Sequence, residues 1–519
     1  MYGLGGIQPV SQGKYLGLPM VISRSKGQLF GYIKDNIKRR MLSWKNKLLS
    51  SAGKEILIKA VAMAMPNYTM SCFKLPCRLC KEISSMLSNF WWGEKDNKNK
   101  VHWVAWKQLT REKKRGGMGF QDIQSFNRAL LAKQIWRIIR NPNLLSSRVL
   151  KSKYFPNCSV LDSRTPNNAS WLWKSIMSAR EELQWGIRKR IGNGLSTRIW
   201  DDQWIPNQHL GRPITTKPGD CQVQKVADLI EGYRWNRNLI FKNFKKEDAE
   251  NILKIPISIT GREDNIFWTE NQKGEYTVQS GYKAIQAKNE QEGRGEREGI
   301  EASYRPRRTD MWRVLWKLKI SHKVKIFIWK GLKEAIPVKE LIWRRMSKGD
   351  PICSGCGEEL ETLEHLLLKC KKAKEVWKVA PVQWDGIQEL TGNFNRWWMA
   401  LSEAIERDQG IDHISLTAYI LWHIWKSRND KEFNNKTHEP GQVITKAWNA
   451  WMEFNDGTKK TRSCSTESTT ASLHRNEQEP TQTPDNRIAG MQLRIATKWN
   501  KASKSIGYGI VAADCRGQD

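Results

Sequence analysis

Apolar residues recur at helical spacing from Lys26 to Pro66, at Ile33, Ile37, Met41, Trp44 and Leu48, then at Ile56, Ile58, Ala60 and Val61. The period predicts two helices, with Ser51-Ala-Gly53 as the break between them. The same spacing runs from Glu82 to Trp92 and from Phe126 to Ile139, and Asn141-Pro142 ends it. Between those segments, Lys113-Lys-Arg-Gly-Gly-Met-Gly-Phe120 reads as a basic, glycine-rich turn. It is not a P-loop, because the GxxxxGK order and a strand–helix context are missing.

The pattern then changes. From Ser170 to Pro206 tryptophan dominates (Trp171, Trp173, Trp185, Trp200, Trp204). Gly192-Asn-Gly194 reads as a hairpin-type turn, Thr197 to Trp200 as a strand, and Gly274 to Val278 as a second β-like stretch before a helix at Ser280–Gln286. Helical periodicity returns from Met311 to Met346, through Trp312, Leu315, Trp316, Val324, Phe327, Ile328 and Trp329, and again from Phe394 to Trp451. Asn289 to Arg308 is polar and charged and reads as a linker. Lys459 to Asp485 lacks any period and reads as a disordered linker. Met491 to Asp519 alternates as a β-hairpin would.

Length and charge add a function class. A chain of 519 residues predicts roughly three or four domains at about 100–200 residues each. No apolar run reaches the ~18 residues of a membrane span. The first residues carry no secretory pattern, and ten scattered cysteines do not make a disulfide framework. An intracellular chain, in nucleus or cytoplasm and not secreted, is expected. With 87 Lys and Arg against 53 Asp and Glu, the formal charge is +34, distributed along the whole chain. Together with 26 tryptophans, this favours a nucleic-acid partner, whose backbone is anionic throughout and whose bases stack on aromatic rings. The candidate contacts are Lys34, Lys38, Arg39, Arg40 and Lys45 on the first basic helix. Lys113, Lys114 and Arg115 in the glycine-rich turn and Arg188, Lys189 and Arg190 in the Trp-rich stretch complete the set. The competing reading is a solvated charged face, and for any one tryptophan it is core packing.

The sharpest local signal is Cys353-Ser-Gly-Cys356 with His365 and Cys370, a C-x2-C-x8-H-x4-C spacing. Two cysteines two residues apart present both thiolates to one tetrahedral ion, and Gly355 and Gly357 suit the tight backbone. Residues five apart on a regular helix point about 140° away from each other, so a helix end or turn must fall between His365 and Cys370. Four ligands close a site, which makes it structural and not catalytic. Cys77 and Cys80 lack His partners and read as helix-start packing. Asp201-Asp202, flanked by Trp200 and Trp204, reads as a turn and not as the metal-holding hairpin of a polymerase. No nucleophile elbow, HExxH or dinucleotide fingerprint is present.

The order Tyr15-Leu-Gly-Leu-Pro19, Trp44, Lys47-Leu48, Ser51-Ala-Gly53 and Leu57-Ile58-Lys59 resembles the downstream part of plant LINE-type (non-LTR) reverse transcriptases. So do Phe90-Trp-Trp92-Gly93, His102-Trp103, Trp106, Gly116-Gly117, Gly119-Phe120, Arg190-Ile-Gly-Asn-Gly194, Ile199-Trp200, Asp202 and Trp204. Trp312 to Trp377, centred on the Cys/His cluster, resembles the reverse-transcriptase zinc-binding domain, and Ile424-Trp425-Lys426 with Arg428-Asn429 and Phe433 resembles the block that follows it. Ile506-Gly-Tyr-Gly-Ile510, Asp514 and Gly517 resemble the first hairpin of a ribonuclease H domain, and the position of its first metal-binding Asp falls at or near Ala496.

The resemblance implies a mainly α, multidomain chain. A helical thumb-like region would occupy 1–140, a Trp-rich α+β connector 141–290, a linker 291–310 and a small zinc-binding helical domain 311–380. A helical block would occupy 381–455, a disordered linker 456–488 and a truncated α/β ribonuclease H-like hairpin 489–519. Zinc is expected as a structural ion, and Mg2+ only in an intact parent enzyme. The family's Tyr-Ala-Asp-Asp hairpin lies upstream of the Tyr-Leu-Gly region. The expected function is therefore binding of RNA, DNA or RNA–DNA hybrid, without the parent's RNA-directed DNA synthesis or ribonuclease H activity. Other parts of the parent polyprotein are possible partners, and a membrane is not. The alternative is an inert or structural protein, or a pseudogene product, that makes no use of its charge.

Overall fold

A computed structural model describes residues 14–15, 18–19, 25–45, 49–95, 98–206, 211–219, 222–292, 308–384, 386–467, 492–500 and 505–513. The described chain is mainly helical. It divides into two units, Met1–Asn455 and Asp456–Asp519.

In the first unit, helix α1 (Gly31–Lys45) buries Ile33 and Ile37 four residues apart, beside Phe30, and leaves Lys38, Arg39 and Arg40 exposed. The second helix, α2 (Ser51–Ile56), begins at the predicted break. Ser50 is its N-cap, and the hydroxyl accepts the Gly53 amide at 3.2 Å. Ser51-Ala-Gly53 is therefore the first turn of a helix, stabilised by a cap that compensates for the glycine. Helix α3 (Cys77–Trp92) buries Cys80, whose thiol is pushed up to about 12 by burial, while Cys77 is exposed. Both behave as helix-start residues. Helix α4 (Ile123–Arg140) contains the predicted Phe126–Ile139 period and is capped by Asp122, which accepts the Ser125 amide.

The Trp-rich segment departs most from expectation. Strand β1 (Ile187–Arg190) pairs antiparallel with β2 (Asn265–Trp268), far along the chain. Gly192-Asn-Gly194 is thus not a hairpin turn. The Asp264 carboxylate instead accepts the amides of Gly192, Gly194 and Ser196 and the Thr197 hydroxyl. Thr197 to Trp200 forms a turn with a single bridge, Arg198 to Lys225, and not a strand, and the Arg198 amide is taken by the Asp202 carboxylate within that turn. Gly274 to Thr277 is likewise irregular, and Val278 already opens helix α5 (Val278–Glu292). Asp202 accepts Lys189 and the Arg198 amide within a turn. Two cores fill this segment, one around Trp136, Trp173, Trp268 and Tyr276 and one around Ile199, Trp204, Val226 and Ile252.

The predicted block 311–346 is three helices: α6 (Arg308–Lys317), α7 (His322–Leu332) and α8 (Lys339–Met346). The later block comprises α9 (Phe394–Glu403), α10 (Gly410–Asn434) and α11 (Pro440–Glu467). Helix α11 reaches Glu467, so the disordered linker expected from 456 is helical over its first part. The rest of that linker, and residues 293–307 of the other, lie outside the described residues. Among the described residues no helix is long and apolar enough to cross a membrane.

The regions expected as separate units at 1–140 and 311–455 share one continuous hydrophobic core, from Phe30 to Ala447. The glycine-rich turn is the seat of this union. Trp329 Nε1 donates to the Gly116 carbonyl at 3.1 Å, and a Cβ on Gly116 would lie 2.7 Å from the Trp312 ring. Gly117 has even less room, since a Cβ there would lie 1.9 Å from the Arg111 carbonyl. Beside the turn, Glu55 accepts Lys59 at 2.7 Å and Lys113 at 2.8 Å, and meets His322 Nε2 at 2.9 Å.

In the second unit, β3 (Gln492–Asn500) pairs antiparallel with β4 (Ser505–Ala513), from Ser505 opposite Asn500 to Ala513 opposite Gln492. This is the alternation read at 491–519. Asp514 and Gly517, and the side chain at Ala496, lie outside the described residues.

Burial alone would raise the Glu55 carboxyl, but hydrogen bonds from His322, Lys113 and Lys59 hold it at about 2, below its ordinary 4.5. A depressed carboxylate stabilises the fold above its ordinary value and loses that contribution as pH falls towards its folded value. Glu55→Gln is expected to cost about 3 kcal/mol at neutral pH. The gap from the parent should narrow between pH 4.5 and about 2. Urea unfolding followed by tryptophan fluorescence at several pH values measures it, and a gap constant with pH would contradict the ion-pair account.

Candidate metal centre

The knuckle is shaped by its own backbone. A bridge between Ile352 and Leu360 closes the loop, the Cys353 amide donates to the Glu359 carbonyl at 2.8 Å, and the Gly357 amide returns to the Cys353 carbonyl at 2.8 Å. Gly357 sits at φ +74°, a region that side chains disfavour. The Gly355 amide points at Cys353 Sγ at 3.3 Å, and a Cβ on Gly355 would lie 3.2 Å from both Cys353 Sγ and Cys370 Sγ.

The other two residues come from a broken helix. His365 opens a π-type turn, His365–Lys369, and Cys370 is extended (φ −54°, ψ 141°) as it caps the next helix, α-helical over Lys371–Lys378. This is the turn the spacing requires between His365 and Cys370. Cys370 Sγ lies 3.9 Å from Cys353 Sγ, Cys356 Sγ lies 3.4 Å from His365 Nε2, and all four ligand atoms fall within 4.8 Å of one another.

These lengths test whether a metal fits. With Zn–S of about 2.3 Å and Zn–N of about 2.0–2.1 Å, a tetrahedron has S–S edges near ~3.8 Å and S–N edges near ~3.5 Å. The 3.9 Å Cys353–Cys370 and 3.4 Å Cys356–His365 separations match these edges, and the whole set, within 4.8 Å, is compact enough to close on one ion. Glu359 orients the histidine ligand. Its carboxylate lies 2.8 Å from His365 Nδ1, which leaves Nε2 as the ring atom facing the thiols. The Cys370 thiol is lowered to about 7, by the Cys353 hydrogen bond first and by the amides of Lys372 and Ala373 at the helix start. For His365, burial works against protonation, yet the ring's hydrogen bonds to Cys353 and Glu359 leave it raised.

Helix α10 buttresses the loop. Arg428 meets the fully buried Glu361 through Nη2 at 2.6 Å and Nε at 3.0 Å, and Glu361 also accepts the Lys339 amide at 2.9 Å. Lys431 Nζ donates to the Ser354 carbonyl. Trp377 Nε1 donates to the Leu367 carbonyl at 2.8 Å, tying the second half of the site to the following helix. Sequence reasoning missed Glu359, Glu361 and Lys431. The available signal was the Arg428-Asn429 block, whose arginine proves to hold the loop.

The basic candidates fare unevenly. Lys38, Arg39 and Arg40 are exposed on α1, whereas Lys34 is paired with Glu82 at 2.7 Å. The side chain of Lys45 lies outside the described residues. Lys113 is engaged by Glu55 and lies 4.4 Å from the Trp316 ring, Lys114 pairs with Glu112 at 3.0 Å, and Arg115 with Glu290 at 2.9 Å. Arg188 bonds the Trp185 and Ile187 carbonyls and Gln203, Lys189 pairs with Asp202, and Arg190 lies 5.4 Å from the Phe267 ring. The structure does not gather the three groups into one surface of free charges.

Residues 276–377, which contain all four clustered ligands, match the family described as zinc-binding in reverse transcriptase. The chain is 28% identical over 454 residues to an Arabidopsis thaliana protein named "Putative ribonuclease H protein", covering 83% of this chain and 68% of that one. It is 46% identical over 147 residues to an uncharacterized mitochondrial protein of Arabidopsis thaliana, covering 28% of this chain and 96% of the relative. This chain carries a retrotransposon reverse-transcriptase-related region. The family match and the Cys3His geometry are both consistent with zinc. The match opens at residue 276, so it takes in helix α5 ahead of the tryptophan helices.

Removing one partner of a buried ion pair leaves the other charge uncompensated. Glu361→Ala is expected to destabilise the first unit by about 3–5 kcal/mol, and the double replacement Glu361→Leu/Arg428→Met to recover most of that loss. Urea midpoints of the single and double variants decide it, and equal losses in both would contradict a pairwise role.

Proposed function

We propose that this chain is a zinc-stabilised, nucleic-acid-binding part of a retrotransposon-derived reverse transcriptase. RNA-directed DNA synthesis and ribonuclease H activity would belong to the parent polyprotein. The observation that carries the reading is the closed Cys353, Cys356, His365, Cys370 arrangement. Those side chains would hold the ion. Zinc supplies bonds that fix a loop and, with four protein ligands, leaves no position for water or substrate. The family match over 276–377 and the name of the ribonuclease H relative support nucleic acid as the partner class. The net charge of +34 supports the same class. The exposed Lys38, Arg39 and Arg40 remain the candidate contacts from the first helix. Base identity would matter little, since phosphate contacts carry no sequence information.

The internal ion pairs of Lys34, Lys113, Arg115 and Lys189 favour a second reading, in which the charge serves packing and no nucleic acid is bound. Salt dependence separates the two. Backbone binding predicts log affinity falling linearly with log salt, at about −0.9 per neutralised phosphate on duplex and about −0.7 on single strands. Absence of binding at low salt, or a flat response, would favour the packing reading.

The metal assignment has its own test. The purified protein is expected to carry about one zinc per chain and Cys356→Ser close to none, with local unfolding around Trp377. Glu359→Gln should retain the metal but bind it about 10–100-fold more weakly. Elemental analysis and chelator competition read both, and unchanged metal content in Cys356→Ser would remove the assignment.

A further inference from the structure

Along the seam between the first helices and the 311–455 region, Lys59 and Lys113 face the Glu55 carboxylate, whereas a group of three other lysines does not. Lys54 lies on α2, one residue from the Glu55 hub. Lys100 follows the end of α3, and Lys330 lies in the last turn of α7. Lys54 and Lys100 flank Gly93, the residue that terminates α3, and Lys330 stands over the ring of the preceding Trp92. A Cβ on Gly93 would lie 3.4 Å from Lys54 Nζ and 3.9 Å from Lys100 Cδ. Lys54 Nζ stands 5.7 Å from the Phe90 ring and Lys330 Nζ 5.6 Å from the Trp92 ring. Lys54 and Lys330 are partly buried, and Lys100 is exposed. Among the described side chains, no carboxylate lies within ion-pair distance of any of the three. Burial first, and then mutual repulsion, pulls Lys330 and Lys54 below the ordinary lysine value.

Folding therefore brings positive charges together against aromatic surface, and the aromatic faces compensate only a part of the repulsion. A bound anion would compensate the rest. Three separate ammonium groups suit an anion with several oxygens around one centre. A carboxylate is better matched by the planar fork of arginine, as Glu361 is by Arg428. We propose that Lys54, Lys100 and Lys330 form a receptor for a phosphate of a bound nucleic-acid backbone. The receptor is built across the seam, so it exists only when helix α7 is docked on the first helices. This rests on the nucleic-acid reading above and names a site for it. None of the three lysines stands out from charge runs in the sequence.

The test uses the full zinc-loaded chain and a duplex oligonucleotide titrated at several salt concentrations. Lys330→Gln and the triple Gln variant are compared with Lys151→Gln, an exposed lysine elsewhere. Each phosphate that is no longer neutralised should lower the slope by about 0.9, a roughly threefold smaller change in affinity between about 50 and 200 mM salt. Lys330→Gln should also raise the unfolding temperature in chloride buffer, because it removes a repelled charge, and should abolish any stabilisation by inorganic phosphate at matched ionic strength. Weaker binding from a more stable protein is a combination that damaged folding does not give. Binding by the parent with an unchanged slope in the triple variant would overturn this site and leave the nucleic-acid reading intact. No oligonucleotide binding by the parent, with phosphate stabilisation abolished in Lys330→Gln, would overturn both the backbone assignment and that reading, and would mark a small-anion site. Absence of both effects would overturn the receptor itself.

Discussion

The first unit depends on a steric allowance at Gly116 and Gly117. Without side chains there, the Trp312 ring lies against the backbone, Trp329 donates to the Gly116 carbonyl, and the Arg111 carbonyl approaches Gly117. Any Cβ would push the tryptophan helices away, because a ring in a close-packed seam has nowhere to retreat. The glycines thus decide whether helices α6 and α7 can lie on the first helices at all. The Glu55 hub, the three-lysine cluster and the shared core from Phe30 to Ala447 all follow from that contact.

This explains what was legible in the chain and what was not. The helices around Ile33, Ile37 and Trp92 were legible because a 3.6-residue period is written locally, and so was the metal cluster, because C-x2-C-x8-H-x4-C is a local geometry with a known consequence. The pairing of β1 with β2 was not, since the partner strand is far along the chain and Gly192-Asn-Gly194 offers a nearer turn. Asp264 makes the difference by accepting the amides of that turn, and a single carboxylate has no sequence signature. Ser51-Ala-Gly53 misleads for a related reason: glycine suggests a break, but Ser50 before it supplies a cap.

The charge takes on a different meaning at residue level. Several acidic residues sit where segments meet: Glu55 between α2 and α7, Glu290 against Arg115, Glu361 beneath Arg428, Asp264 beneath the glycine turn. Carboxylates used in this way neutralise interior and seam lysines and arginines. The remaining excess of base must then sit on surfaces such as the outer face of α1, or in places where no described acid reaches, such as the Lys54, Lys100, Lys330 cluster. A basic run in the sequence is consequently a poor guide to a binding surface. Lys113 and Arg115 of the basic run are engaged by carboxylates of other segments, whereas three lysines scattered across the sequence make the less compensated electrostatic demand.

The metal site and the seam are mechanically linked through the same helices. Arg428 and Lys431 of α10 hold the knuckle by Glu361 and the Ser354 carbonyl, and α10 also packs on α7 through Phe327 against Trp422 and Trp425. Ordering the knuckle therefore constrains α10, and α10 constrains the helix that carries His322 and Lys330. A zinc-binding loop is small, and four bonds to one ion stabilise it far more than its own apolar contacts could. Its position beneath α10 lets that local stabilisation reach a seam formed by residues hundreds apart in sequence. On this argument the zinc-binding region is less an independent module than the part of the fold that keeps α7 in register with the first helices.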